Sequence, residues 1–528
     1  MEWIFSEPSP GDNVFSKKLI RYFFLFLLLA TQAQSLAQDT LFYTEKMRIE
    51  KDSRTITNIS DDENRIITIE ETSGSDDKLL FFIHDQNGRL IEKFSFSFPN
   101  YNDIDLDLSH VRYIRSKLYL FSTGYSRKTN TLYGFVFSLE NQQLTPVIQL
   151  HSLKTSFRSD FGTQLSPDST KILVYFEQSE VPRSSDYVSL RVYGVPDFEP
   201  IWDRELSLPY EKEVLQINQF RLDNFGSVYM MSGKKIVKNN QPIQRTQGAR
   251  YVVFYYDNES NRLKEFDISL KDKQVVSAIG VIDKNNQMLV GGYYSNDYNF
   301  AVAGTFLFVI SEKAAQIKTA AYMAFSKEFL SGYMSDRELD RSPELTDLYL
   351  DQLLIANDSS LWFIGEQFYI TERISSDINT GRTIVENVSH FDDIIVSKIS
   401  IKDGKIKWTS KIPKAQYSSI DLDRCGYSLF SKENELHFFF NDHPDNFIRL
   451  QQKPHALPEG WNGSRVAVIT KAVVDINGKT KRNALVATKT AGGPLLPGLG
   501  NERIFGLPVL GIYEGKEYRF CIPFPLSK

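Results

Sequence analysis

The chain is poor in the residues that build small stapled or metal-centred folds. Its 528 residues include 2 cysteines, 7 histidines, 7 methionines and 5 tryptophans. Two cysteines exclude a disulfide-dense scaffold and a cysteine-rich zinc module. Lys and Arg number 61 against 66 Asp and Glu, a formal net charge of −5, so there is no global basic field with which to hold nucleic acid. No apolar run reaches the roughly 20 residues a helix needs to cross a bilayer. The local signatures of catalysis are missing too: there is no G-x-S-x-G elbow, H-E-x-x-H pair or phosphate-cradling P-loop. Gly291-Gly292 and Gly492-Gly493 read as turn or close-packing glycines; no cofactor or metal is expected, although Asp442 and Asp445 flanking His443 could ligate a divalent cation where ordinary turn formers are the simpler account.

What the chain has is aromatic mass. Phe (38) and Tyr (26) bring the aromatic share to 13%, within 41% hydrophobic residues, which excludes a disordered or collagen-like polymer. The N-terminus carries Lys17, Lys18 and Arg21, then the apolar run Tyr22 to Ala30, then Ser35-Leu36-Ala37. That order predicts a secretory signal over residues 1–37 and a secreted or periplasmic product. Thirteen polar or mixed residues precede Val14, so the expected translation start is near Val14.

From about Thr55 the pattern is period-2 apolar alternation, broken by Asn, Asp, Gly and Ser clusters: strands and turns. Asn87-Gly88, Asp403-Gly404 and Asn477-Gly478 are hairpin turns that need positive φ. Helix is expected only near Ala320 to Phe325 and Glu344 to Leu350. A polar turn followed by a β-rich run recurs with equivalent positions at Ile67, Tyr119, Leu173, Tyr229, Leu289, Trp362 and His437, spaced 52, 54, 56, 60, 73 and 75 residues apart. A second hairpin follows in most units, as in Leu79 to Phe94, Tyr251 to Phe266 and Asp393 to Trp408; the third unit places Trp202 at the same point.

About four strands per unit, repeated about seven times, is the signature of an all-β propeller of four-stranded antiparallel blades. Seven blades fit the spacing, eight or six being the alternatives, and two stacked β-sandwiches the competing fold. Leu165-Ser-Pro-Asp-Ser-Thr-Lys-Ile-Leu173 resembles the blade motif of WD-repeat and Tol-associated periplasmic propellers, and Asp392 to Trp408 resembles the blade hairpin of secreted bacterial propeller-repeat proteins. The Gly-His and Trp-Asp dipeptides of WD-repeat proteins are absent and the units are longer, so the resemblance implies blade architecture and no functional residue. On this reading residues 38–528 form one propeller domain. Leu41 to Ile49 and Arg503 to Phe520 are expected to close the ring; if both form an extra blade, the count becomes eight.

The long insertions, Glu366 to Phe391 in unit 6 and Asn441 to Gly463 in unit 7, together with the unit 5 to unit 6 link, predict an elaborated rim. Candidate binding residues there are Tyr293, Tyr294 and Asp297 as an aromatic platform, Asp421 and Asp423 at the channel mouth, and Asp442, His443 and Trp461 in the unit 7 insertion. Asp and Asn are also ordinary turn formers, and aromatic rings also fill the space between blades. Cys425 and Cys521 could clamp the closure or stay as buried thiols. Five N-x-S sequons, at Asn58, Asn258, Asn357, Asn387 and Asn462, bear only on a eukaryotic secretory route. The expected function is binding: a monomeric module for an envelope protein or glycan at the rim of units 5 to 7. A carbohydrate-active hydrolase or lyase is the alternative, and a purely structural protein a third.

Overall fold

The computed structural model describes residues 42–522 apart from short stretches, the longest being 178–186, 243–249 and 500–509. The leader reading, residues 1–37, and Asp297 lie outside the described residues. Seven antiparallel sheets succeed one another along the chain, spanning residues 53–97, 106–154, 162–207, 215–268, 274–324, 348–418 and 428–487. All seven repeat positions fall in the second strand of a sheet, from Ile66–Thr72 to Glu435–Asp442.

An eighth sheet corrects the count of seven. Leu495–Leu496, Leu510–Glu514 and Glu517–Ile522 form its first three strands, and Phe42–Tyr43 and Met47–Arg48 pair antiparallel with the last of these. The two ends of the chain thus close the ring and make a blade at once. Its strands come from opposite termini, so it carries no contiguous copy of the repeat, and the spacing could not reveal it.

The first strands of neighbouring blades touch: Ser53–Ser60 meets Leu106–Ile114, and Leu215–Leu222 meets Gln274–Ile282, which in turn meets Leu348–Ile355. These strands ring the central channel. Fourth strands such as Leu90–Ser97, Glu199–Ser207 and Ile317–Ala324 are mostly exposed or half-buried, as an outer edge must be. The core sits between blades. Tyr229 and Tyr255 of blade 4 pack with Tyr294 and Phe308 of blade 5; Leu289 and Tyr293 of blade 5 pack with Phe363 and Ile395 of blade 6. Phe439 and Ile469 of blade 7 meet Leu510 and Cys521 of blade 8.

The turns explain the repeat. Oδ1 of Asp61 accepts from the N–H groups of Glu63 (2.9 Å) and Arg65 (2.8 Å); Asp223 and Asp283 do the same two and four residues on. Asp85 and Asp475 repeat the pattern in the outer hairpins. Three residues after each aspartate the backbone is left-handed, at Asn64, Gly88, Gly226, Asn286 and Gly478, which is why Asn or Gly stands there.

Two expectations fail around blade 6. Ala320 to Phe325 is not helical: it belongs largely to the outer strand Ile317–Ala324, paired with Gly304–Ile310. Glu344 to Leu350 leads into the inner strand Leu348–Ile355. Ladder pairing overrides the helix propensity of alanine and leucine at a sheet edge. The helices are the short turns between these strands, Lys327–Leu330 and Asp336–Arg341, capped by Ser326 and Ser335 and pinned by buried Leu330 and Leu339. Glu366 to Phe391 is likewise no irregular loop. Ser360–Ser376 and Thr383–Ser400, 17 and 18 residues long, pair far beyond the blade as a two-stranded arm. With both faces in water, the arm shows little of the apolar alternation by which strands are recognised.

Candidate functional site

The inner strands of blades 1, 2, 4, 5 and 6 each carry a register bulge near the same height, at Thr55/Thr57, Leu108/His110, Ile217/Gln219, Val275/Ser277 and Leu350/Gln352. A bulge re-aims the extra side chain. In blade 6 that residue is Asp351, exposed on the channel wall. The hydroxyl of Tyr427, just before the first strand of blade 7, donates to Asp351 Oδ2 at 2.7 Å. The enclosing walls limit solvation and push the Asp351 carboxyl up to about 7; Glu366 adds to the rise, while Tyr427 and Lys414 oppose it. Burial also holds Tyr427 well above its usual range, so it stays a donor. Tyr293 reaches under the same bulge from blade 5, its hydroxyl so close to Gly365 that a Cβ there would meet it at 2.7 Å. An exposed carboxyl that gains and loses its proton near neutrality can exchange protons with a bound ligand.

Behind it lies a buried cation. Lys414 Nζ contacts Glu366 Oε1 (2.8 Å) and donates to the Phe391 carbonyl (2.6 Å) and Gln416 Oε1 (3.0 Å). Its own N–H donates to Asp393 Oδ1, 3.0 Å away. One ammonium therefore ties the second strand of blade 6, the base of the arm and the link into blade 7. Gln416 continues the network by donating to the Asn441 carbonyl and accepting from the Gly426 N–H.

The residues singled out from sequence fall in several places. Tyr293 and Tyr294 are buried between blades and offer no ring face to solvent. Asp421 pairs with Arg424 at 3.0 Å beside a short turn, and Asp423 is exposed on that turn. Asp442 is buried: it accepts from the His443 N–H and Asn446 Nδ2, and it is ion-paired with Arg482. His443 turns to Asp445, whose N–H reaches its Nδ1 at 3.3 Å. Asp442 and His443 therefore do not act as a pair, and among the described residues no three His, Cys, Asp or Glu side chains gather as metal ligands do. Trp461 is buried against Cys425 and Ala467, and its backbone braces Ala415 and Tyr417. Both thiols are free and buried, which leaves the clamp unformed; burial pushes each up to about 12.

Asp351, Glu366, Lys414 and Tyr427 were missed. Asp351 directly follows Glu344 to Leu350, the stretch expected as helix, and nothing local marks Lys414, whose partners come from three separate segments.

Above this network the rim of blades 6 and 7 is apolar and exposed. On the arm Ile370, Ile374, Ile384 and Val385 are 57, 68, 49 and 58% exposed. Ile420, Leu457 and Val466 of the adjoining segments are exposed further. Beside the helix Asn446–Gln452 lies an open hollow of about 450 Å³ lined by Ile448, Arg449, Lys453 and Ala456.

No family model matches the chain, and no curated protein matches it. Solved structures do, at low identity. The propeller domain of the Trilobed protease from Pyrococcus furiosus, described as having an open velcro topology, is 12% identical, with 82% of this chain and 95% of that one covered and a TM-score of 0.37. The polysaccharide lyase Uly1 is 9% identical over 78% and 89%, TM-score 0.39. Prolyl oligopeptidase B from Galerina marginata is 10% identical over 83% and 51%, TM-score 0.39. The chain spans about half the length of the prolyl peptidases it matches. The fold assignment rests on the sheets themselves.

Proposed function

We propose that this protein is a secreted or periplasmic binding module that acts as a monomer and engages a protein of the cell envelope through the rim of blades 6 and 7. The observation that carries this is the arm, a two-stranded projection bearing four exposed aliphatic side chains, Ile370, Ile374 and Val385 on one face and Ile384 on the other, with the exposed Ile420 beside its base. Monomeric soluble proteins rarely expose contiguous apolar surface without a partner for it. Exposed rings, Tyr349 and Tyr417, stand only at the base of the arm, and the aliphatic exposure along it favours a protein over a glycan. Affinity capture from envelope extract tests it: a partner held stoichiometrically by the native chain and released by the double change Ile370→Ser and Ile374→Ser supports the reading. A native chain that retains no protein, or a variant that retains it equally, defeats it.

Asp351 favours a second reading, a carbohydrate-active hydrolase or lyase. Near neutral pH its carboxyl serves as acid or base to a chain threading the channel. Turnover of a polysaccharide by the native chain, with a pH profile abolished by Asp351→Asn, would decide for the enzyme.

A further inference from the structure

The arm's two edges are treated differently. On one, Gln416–Ser418 pairs with Ser389 to Phe391 and covers the base. On the other, the inner strand of blade 6 follows only as far as Gln367, opposite Leu348, and Phe368, whose N–H donates to the Asp347 carbonyl at 2.8 Å. From there to Ser376 no described strand lies alongside. Backbone groups alternate in direction along a strand, and the register with Phe391 to Thr383 is unbroken over this stretch. Since Phe368 points its N–H outward, so do Ile370, Glu372 and Ile374; Tyr369, Thr371 and Arg373 bond inward to the companion strand.

Exposed edges are usually blunted by proline, lysine, a bulge or a covering loop. Phe368 to Ser376 has no proline, lysine or bulge along about 30 Å of extended chain, no loop covers it among the described residues, and its charges are confined to Glu372 and Arg373. Its outward face reads Ile370, Glu372, Ile374, with both isoleucines exposed. A second copy of the chain fits poorly: the antiparallel register that sets Ile370 against Ile374 of a twin sets Glu372 against Glu372, and like charges directly opposite destabilise a pair. A cation is the complement.

Building on the protein-binding reading of the rim, we infer that this edge accepts an extended segment of a partner as an added β-strand. The segment carries a Lys or Arg opposite Glu372, with β-branched apolar residues two positions to either side that cover Ile370 and Ile374. Backbone hydrogen bonds then hold the segment, and the alternate side chains select it.

The test uses the full chain and a seven-residue peptide, Thr-Val-Thr-Lys-Thr-Val-Thr, capped at both ends, with amide exchange followed by NMR. Without peptide, the amides of Ile370, Glu372 and Ile374 exchange faster than those of Thr371 and Arg373. At saturation the first three slow at least tenfold and the other two barely change. Glu372→Pro removes one outward donor and weakens the peptide at least tenfold, whereas Glu372→Ala keeps the donor and only erases the preference for the Lys peptide over its Glu counterpart. Binding that leaves the three amides fast, or that ignores a folded Glu372→Pro, overturns strand addition. Should Glu372→Pro misfold, the exchange pattern of the native chain decides alone. An envelope partner lost on Ile370→Ser/Ile374→Ser but indifferent to Glu372→Pro sinks this inference and leaves the binding reading standing. Slowed amides in a chain that captures no envelope protein do the reverse.

Discussion

The seam between blades 4 and 5 and the seam between blades 6 and 7 solve one packing problem with different materials. At the first, Met231, Val253 and Tyr255 meet Val290, Phe306 and Phe308, and the aspartate turns of Asp223 and Asp283 recur almost atom for atom. At the second, an apolar layer of Trp362, Val396, Phe438 and Ala472 is topped by Lys414, Glu366, Gln416 and the Asp442 and Arg482 pair. Repetition makes a seam that any blade can share; a buried charge network makes one that a single pair of blades can share. The arm and the insertions stand on the second kind.

The largest expected effect probes that difference. Lys414→Met leaves Glu366 buried without its cation and the Phe391 carbonyl at the base of the arm without its donor, so it should cost about 3–5 kcal/mol in denaturant unfolding. A loss under about 1 kcal/mol would mean that the charges merely decorate an apolar seam. Asp283→Ala, in the repetitive part, removes two turn hydrogen bonds and should cost about 1–3 kcal/mol; a cost equal to that of Lys414→Met would erase the contrast. The third effect is a slope, kept small because solvent screens the exposed Asp351 carboxyl. The folded-state pKa of Asp351 is raised to about 7 from 3.8, so the native chain holds a proton that the unfolded chain releases, and stability falls as pH rises from about 4 to about 7. Thermal melting of Asp351→Asn should lack that part of the decline. An identical slope in both proteins would show that the carboxyl is solvated like any surface acid.

Sequence reasoning succeeded where the physics was local. An aspartate with a left-handed Asn or Gly three residues on precedes the second strands of blades 1, 4 and 5, and the looser unit, a polar turn before a β-rich run, was readable at all seven positions from Ile67 to His437. It failed where partners were distant in the chain. Blade 8 needs Phe42 and Ile522 at once. Asp351 owes its setting to Tyr427 and Glu366, and Lys414 owes its burial to Phe391 and Gln416. The arm was placed correctly as an elaboration of unit 6 but mistaken in kind, because a strand wet on both sides need not alternate.

The split eighth blade also bears on how the protein is made. Thr44 donates its N–H to the Phe520 carbonyl, and its hydroxyl receives the Phe520 N–H, both at 2.9 Å. A ribosome delivers those two residues 476 positions apart. Blades 1 to 7 can form in order as they emerge, while the strand at Phe42–Tyr43 waits, unpaired, for a hairpin not yet translated. The ring is fastened last by a strand made before any of the seven other blades, so a chain halted ahead of Leu510 should keep most of its sheets without closing the circle.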